Sequence, residues 1–382
     1  MKNSNRKAKK DIIILSANTS WYLYNFRAST ITEFLNDGFQ VLCLSPKDDY
    51  SFKLTELGCE WHNISLDNKG LNPLNDFKFF LELFFFFKKQ QPLAVFNFTI
   101  KNNIYGAVAS KILGLYSINN ISGLGTAFIR EGLLNKFIKA LYKITMPLAD
   151  KIYCQNIEDY NAIKDLLNLS AQKISLLPGS GVNPARFHPS LKVAEPKRIF
   201  TFVFIGRMLR DKGLEELVRA VKLVNSETIT CKLVLCGIVD HLNQSAIPLH
   251  QIEGWGEEPD ISWIGSTDKA ENVLAQSDCL VLPSYREGMP KTILEACSME
   301  IPVIASNVPG CRHIIQDGFN GLLCKARDSF NLSEILTKMI NLSDVERACM
   351  GRNARQIILE SFDEKFVVEE ALQAVRKIKS IS

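Results

Sequence analysis

Short unbroken apolar runs recur along this chain, separated by stretches whose apolar residues fall at helical spacing. Asp11-Ile-Ile-Ile-Leu15 is the first run, and a loop over residues 16–25 follows it. A helix is expected over residues 27–36, stopped by Gly38, before Gln40-Val-Leu-Cys-Leu44 resumes the strand pattern. Ala94-Val-Phe-Asn97, a helix over residues 105–113, Lys151-Ile-Tyr-Cys154 and Ile174-Ser-Leu-Leu177 continue the alternation. Strands apolar on both sides, alternating with helices, predict a parallel sheet covered on both faces.

The rhythm restarts at Phe200-Thr-Phe-Val-Phe-Ile205. Leu214, Leu217, Val218 and Val221 then repeat at helical spacing and define one buried face. Lys232-Leu-Val-Leu-Cys236, Ile261-Ser-Trp-Ile264, Cys279-Leu-Val-Leu-Pro283 and Pro302-Val-Ile-Ala305 supply further strands. Between the halves, residues 183–196 carry Pro184, Pro189 and Pro196, a linker composition. The expectation is an α/β protein of two doubly wound domains facing across a cleft, residues 1–190 and 191–362. Phe366, Val367, Ala371, Ala374, Val375 and Ile378 suit an amphipathic helix, so residues 363–382 are expected to pack back onto the first domain.

Composition narrows the class. At 382 residues, with 46% hydrophobic and 23% charged residues, the chain suits a globular enzyme and not a disordered one. A net charge of +4 is too small to argue for nucleic acid. The ten cysteines include no Cys-x-x-Cys pair, and Cys43, Cys59, Cys154, Cys236 and Cys279 read as reduced core residues. The basic start from Lys2 to Lys10 leads only into the run Ile12 to Leu15, a first strand and not a signal sequence, so a reducing cytoplasm is expected. His62, His188, His241, His250 and His313 are too widely spaced to suggest a metal site, and none is expected. Residues 77–89 hold seven phenylalanines beside lysines, too short for a membrane span. A helix buried against the sheet and an interfacial helix both fit this stretch. Its basic flanks and the basic N-terminus favour contact with a membrane surface.

Candidate chemistry concentrates in two strand–loop–helix junctions, the places where parallel sheets bind ligands. Gly206-Arg207 ends one strand and Lys212-Gly213 opens the next helix, putting two cations at a helix start, as diphosphate recognition requires. A turn with solvated charges is the plain alternative. Leu282-Pro-Ser-Tyr-Arg-Glu287-Gly-Met-Pro-Lys-Thr-Ile-Leu-Glu295-Ala places Glu287 in a loop and Glu295 in a helix. Two carboxylates can serve as acid and nucleophile of a glycosidase. Holding the hydroxyls of a sugar and a ribose suits this pair better, because they share one wall and a carboxylate accepts two hydroxyl donors. Spacing alone leaves both readings open. The absence of Gly-x-x-x-x-Gly-Lys-Ser/Thr, and of Gly-x-Gly-x-x-Gly after the first strand, weighs against ATPases and simple dehydrogenases.

Gly206-Arg207, Lys212-Gly213, Pro283-Ser-x-x-Glu287-Gly288-x-Pro290, Glu295-Ala296, Pro302-Val-Ile-Ala305-Ser, Gly310, Ile315, Asp317-Gly and Asn320-Gly321-Leu322 together resemble the retaining GT-B glycosyltransferases of family 4. The resemblance implies two Rossmann-like domains, no essential metal or cofactor, and sugar transfer from a nucleotide sugar, here UDP-linked, with retained configuration. It implies that Arg207 and Lys212 bind the donor diphosphate and that Glu287, backed by the amides of Gly288 and Met289, contacts the donor sugar. Glu295 would take the ribose hydroxyls, and the loop at Ile264-Gly265 would hold the base. Arg207, Lys212 and Glu287 are the implied catalytic residues. The implied chemistry is front-face: the acceptor hydroxyl attacks from the side on which the diphosphate leaves.

Thr99-Ile-Lys-Asn-Asn-Ile-Tyr-Gly106, Ser122-Gly-Leu-Gly125 and Pro178-Gly-Ser-Gly-Val182 resemble bacterial transferases that extend lipid-linked oligosaccharides, among them α-1,3-N-acetylgalactosaminyltransferases acting on undecaprenyl-diphosphate sugars. The acceptor-side residues so implied are Asn25, Arg27, Lys101, Gly123 and Gly125. Relatives often carry a histidine after the fourth strand, where this chain reads Asn97-Phe-Thr-Ile-Lys101. The expected activity is transfer of a hexose or N-acetylhexosamine to a lipid-linked saccharide, on the inner face of a cell membrane. A nucleotide-sugar epimerase and a silent nucleotide-sugar-binding protein are the alternatives.

Overall fold

The computed structural model describes residues 11–67, 72–124, 133–192, 199–226, 230–240, 243 and 245–380. The chain forms two compact units, residues 1–180 with 364–382, and residues 181–363.

In the first unit, strands β1 (Ile12–Ser16), β2 (Gln40–Ser45), β3 (Glu60–Asn63), β4 (Ala94–Phe98), β5 (Tyr116–Ile121), β6 (Lys151–Cys154) and β7 (Ile174–Leu176) alternate with helices. The helices are α1 (Ser20–Asn36), α2 (Ser51–Glu56), α3 (Pro73–Gln90), α4 (Ile100–Leu113), α5 (Leu133–Thr145) and α6 (Ile157–Leu167). The sheet is parallel throughout, in the order β3-β2-β1-β4-β5-β6-β7. Strand order therefore reverses between β1 and β4, where Ile13 pairs with Val41 on one side and Ala94 on the other. Every residue of β1 is buried, which is why its sequence is an apolar run and does not alternate.

The loop expected over residues 16–25 is shorter, because α1 begins at Ser20. The Thr19 hydroxyl accepts the Tyr22 amide at 3.0 Å as its N-cap. Ser20 Oγ lies 2.8 Å from both Ser45 Oγ and Ser51 Oγ, so a polar helix face is satisfied by β2 and α2. In α3, the phenylalanine-rich helix, Phe79, Leu83 and Phe87 are buried in a cluster with Ile12, Ile14, Leu42 and Leu44. Leu74, Phe77 and Phe85 on the same helix are exposed.

The second unit contains β8 (Phe200–Ile205), β9 (Cys231–Cys236), β10 (Ile261–Trp263), β11 (Cys279–Leu282), β12 (Val303–Ser306) and β13 (Leu322–Cys324). Its helices are α7 (Leu214–Val224), α8 (Leu249–Gly256), α9 (Ala270–Ala275), α10 (Lys291–Ser298), α11 (Cys311–Ile314), α12 (Ser329–Asn341) and α13 (Asp344–Ile357). The sheet order is β10-β9-β8-β11-β12-β13, again parallel, with its reversal between β8 and β11. Residues 181–190, placed with the first domain by the proline pattern, belong to this unit instead. Val182 and Phe187 are buried in its core, and Ser298 Oγ donates to Phe187 O at 2.7 Å.

The last helix, α14 (Glu364–Lys379), returns to the first unit. Val367, Ala371 and Val375 join the cluster built on β1, β2 and β4. Arg376 pairs with Asp37 at 2.7 Å, and the Tyr153 hydroxyl donates to Glu370 at 2.9 Å.

Candidate active site

At the carboxyl ends of β8, β9 and β10 the backbones converge on glycines. Gly206 N donates to Cys236 O at 2.9 Å, and Gly237 N donates to Gly265 O at 2.7 Å. A Cβ on Gly237 would lie 1.7 Å from Gly206 O, so no side chain fits at this rim. Ile264 is half exposed beside Gly265, whose φ is +70°. Arg207 leaves the end of β8 with its guanidinium mostly exposed, and its Nη1 lies 3.5 Å from Asp240 Oδ2.

The chain then forms a 3₁₀ turn over Arg210–Lys212 where a plain loop is expected, and Gly213 at φ +72° turns it into α7. The glycine is required twice over. Its φ is left-handed, and a Cβ would meet Pro283 O at 2.2 Å. This close approach brings the loops after β8 and β11 together, and Tyr285 N donates to Asp211 O at 2.9 Å across the same seam. Gly310 packs against the later part of this loop, where a Cβ would lie 2.5 Å from Gly288 O and 2.7 Å from Glu287 O. The segment from Pro283 to Gly288 is thus closely approached by two glycines, Gly213 at its start and Gly310 at its end.

Lys212 and Glu287, 75 positions apart, meet at the centre: Lys212 Nζ lies 2.5 Å from Glu287 Oε1. Ser284 Oγ donates to the same oxygen at 2.7 Å. Both charged side chains are largely shielded from solvent, which strengthens the pair relative to a surface ion pair. Beneath them Cys311 is fully buried, and its thiol is pushed well up by burial and then by the Glu287 carboxylate.

Glu295 sits inside α10 and is buried. Burial raises its pKa, opposed by Lys291 and Arg186 and reinforced by Glu271. Lys291 Nζ is 3.9 Å from its carboxylate, and Arg186 is bonded to Glu271 at 2.9 Å. Met289, between the loop and α10, packs against the core and leaves its amide in the turn.

On the first unit, Asn25 Nδ2 donates to Trp21 O at 3.0 Å within α1. Lys101 in the first turn of α4 pairs with Asp76 at 2.6 Å, and the Tyr105 hydroxyl donates to the same carboxylate at 3.2 Å. Arg27 is buried on α1 with its Cζ 4.5 Å from the centre of the Phe98 ring. Gly123 follows β5 at φ 149°, and Gly125 lies outside the described residues.

Asp240, Ser284 and Arg186 escape a reading of the sequence as charge partners. Ser284 at least stands inside the quoted Pro283-Ser-x-x-Glu287 pattern, whereas the other two are joined to the site only by folding. Among the described residues no group of three or more His, Cys, Asp or Glu side chains could hold a metal ion.

Two family models match the chain: "Glycosyl transferase 4-like" over residues 12–156 and "Glycosyl transferases group 1" over residues 188–357. The chain is a glycosyltransferase of these families. The group 1 match spans Arg207, Lys212, Glu287 and Glu295, and the other spans Asn25, Arg27 and Lys101.

Among curated relatives, the glycosyltransferase is 26% identical over 375 residues to the N,N'-diacetylbacillosaminyl-diphospho-undecaprenol alpha-1,3-N-acetylgalactosaminyltransferase of Campylobacter jejuni, covering 94% of this chain and 97% of that one. It is 25% identical over 308 residues to an Escherichia coli UDP-Gal:alpha-D-GlcNAc-diphosphoundecaprenol alpha-1,3-galactosyltransferase, covering 77% and 78%. Of solved structures, Anabaena HepE in complex with UDP and glucose superposes with a TM-score of 0.79 at 17% identity, covering 96% of this chain and 100% of that one. Its fold class is GT-B, with a Rossmann-like parallel sheet in each unit.

Proposed function

We propose that this glycosyltransferase moves a hexose or N-acetylhexosamine from a UDP-sugar onto an undecaprenyl-diphosphate-linked saccharide, with retention of configuration and without a metal ion. The observation that carries the reading is the contact of Lys212 with Glu287 at the carboxyl end of the second sheet. It sets a phosphate-binding cation beside a carboxylate able to accept sugar hydroxyls. The two curated relatives act, by their names, on diphospho-undecaprenol sugars, which supports the acceptor class.

In this reading the donor diphosphate lies against Arg207, Lys212 and the start of α7. Glu287, with the amides of Gly288 and Met289, accepts and orients the donor sugar. Glu295 takes the ribose hydroxyls, and Ile264 with Gly265 borders the base. As the bond from the anomeric carbon to the phosphate oxygen breaks, charge grows on the diphosphate, and Arg207 and Lys212 stabilise it with no metal ion needed. The acceptor hydroxyl bonds to that carbon from the same face, and its proton passes to the departing phosphate oxygen.

The outer face of α3 supports a cytoplasmic enzyme peripheral to the inner membrane face. Leu74, Phe77 and Phe85 are exposed there beside Lys78, Lys88 and Lys89. No described helix is long and apolar enough to cross a membrane.

A panel of radiolabelled nucleotide sugars, with and without a polyprenyl-diphosphate saccharide, tests the reading, and mass spectrometry of the lipid product identifies the added sugar. Lys212→Ala and Glu287→Ala should each lower transfer by about 100-fold or more. Unchanged transfer in both variants would overturn the assignment.

A further inference from the structure

Among the described residues, no carboxylate pairs with Arg27. It is 3% exposed, and its Nε and Nη2 are sealed from solvent with no hydrogen-bond partner. Its guanidinium lies over the Phe98 ring, a contact that orients the plane without supplying an acceptor. Arginines are rarely buried unless paired, because desolvation of the charge is costly. A chain that keeps one in this state spends stability on it.

Its position gives that expense a purpose. Arg27 lies on α1, which follows β1, and Phe98 ends β4. These are the adjacent strands between which the order of the first sheet reverses. Ligands of doubly wound sheets bind outside the carboxyl ends of the strands at this reversal. Two further features mark the same strand ends. Thr99, directly after Phe98, is held at φ +70° and ψ 160°, a conformation costly for a residue with a Cβ. Asn102 Nδ2 donates to Ser16 Oγ at 2.6 Å and so fixes the first turn of α4 to the end of β1. The Tyr22 ring borders the spot, 5.8 Å from Phe98 and 4.9 Å from Phe26.

We propose that Arg27 binds a phosphate oxyanion of the acceptor, the diphosphate that joins lipid to saccharide. The inference rests on the acceptor class proposed above. Its guanidinium edge offers two parallel N–H donors, the geometry that phosphate oxygens accept. The donor diphosphate has its own cations, Arg207 and Lys212, on the other unit. Engagement requires the aromatic border to shift. Trp21, whose ring is 5.5 Å from Phe26 and 44% exposed, therefore reports binding by its fluorescence.

The test uses the full chain with Arg27→Gln and Arg27→Met. Each variant is assayed on a short-chain polyprenyl-diphosphate saccharide and on the same saccharide carried by a plain alkyl chain. The KM for the diphosphate acceptor should rise roughly 10- to 100-fold, with donor KM unchanged within about twofold. The loss on the alkyl acceptor should be at least about tenfold smaller than the loss on the diphosphate acceptor. Arg27→Met should melt about 2 °C higher or more, because an unpaired buried charge is gone. An unchanged acceptor KM, or equal losses on both acceptors, would overturn the proposal. So would a lower melting temperature with losses on both, which is the mark of a structural role. If no lipid-linked acceptor supports transfer, the acceptor reading itself has failed, and inorganic pyrophosphate in saturating UDP still decides the anion site. Binding seen by Trp21 and lost in Arg27→Gln supports a phosphate site, and equal binding in both chains removes it.

Discussion

Gly310→Ala isolates the mechanical support of the loop that carries Glu287. Gly310 has φ +82° and ψ −49°, and a Cβ there would stand 2.5 Å from Gly288 O and 2.7 Å from Glu287 O. Ordinary contact begins near 3.4 Å, so the loop must retreat by close to an ångström. Both carbonyls belong to the loop itself, and the displacement passes directly to Glu287, whose carboxylate is placed to 2.5 Å from Lys212 and 2.7 Å from Ser284. The backbone conformation, outside the ordinary left-handed helical region, costs an alanine about 1–3 kcal/mol and the overpacking about 1–3 kcal/mol more. A misplacement of this size costs about 100-fold in kcat/KM. Gly114→Ala is the control: its φ is +68°, yet nothing lies within 4 Å of a Cβ. It should lose only the backbone contribution of about 1–2 kcal/mol and keep its kinetics. Thermal melts and initial rates of sugar transfer read both quantities. Gly310→Ala with undiminished kcat/KM, whatever its melting temperature, would refute the reasoning that Gly310 sets the position of Glu287.

Glu295→Gln tests the buried carboxylate. Because burial raises its pKa above 4.5, the folded chain holds the proton more tightly than the unfolded chain, and stability falls as pH rises through the raised value. The glutamine variant should therefore melt near the parent at about pH 4.5 and above it once pH has risen through the raised value, while binding UDP more weakly; a pH-independent difference would remove burial as the cause. On α3, replacing exposed Leu74, Phe77 and Phe85 together by serine should leave stability within about 1 kcal/mol yet lower binding to anionic vesicles by roughly 10-fold or more, and unchanged co-sedimentation would dismiss that face as a membrane contact.

The alternation of strands and helices is legible in the sequence because a strand covered on both faces must be apolar throughout, as Ile12–Ser16 and Cys279–Leu282 nearly are. The start of α1 is not. Ser20, Trp21, Tyr22 and Asn25 carry no hydrophobic period, and their helix is secured by the Thr19 cap and by hydroxyls on β2 and α2. The break between units is hidden for a similar reason. Prolines mark residues 183–196 as irregular, but irregular chain can still be anchored, and Val182 and Phe187 are anchored in the second core. At the site, residue types alone single out Lys212 and Glu287, whereas their contact and the close approach of Gly213 and Gly310 exist only in three dimensions. The state of Arg27 has no sequence signal at all, since nothing local distinguishes a solvated arginine from a buried, unpaired one.

The two ends of the reaction differ in how their cations are kept. Lys212 is already paired with Glu287, and Arg207 lies within reach of Asp240. On the proposed reading, a donor diphosphate entering there joins charges that are already partly satisfied by Glu287 and Asp240. Among the described residues, the Nε and Nη2 of Arg27 have no such partner. An anion arriving at Arg27 is not exchanged for a resident carboxylate but relieves a desolvated charge, so more of its electrostatic gain is expressed as affinity. A sugar hydroxyl offers no full negative charge, whereas a diphosphate carries it wherever the saccharide varies. On this account the first unit selects its acceptor by the anionic link to the lipid before it reads the glycan.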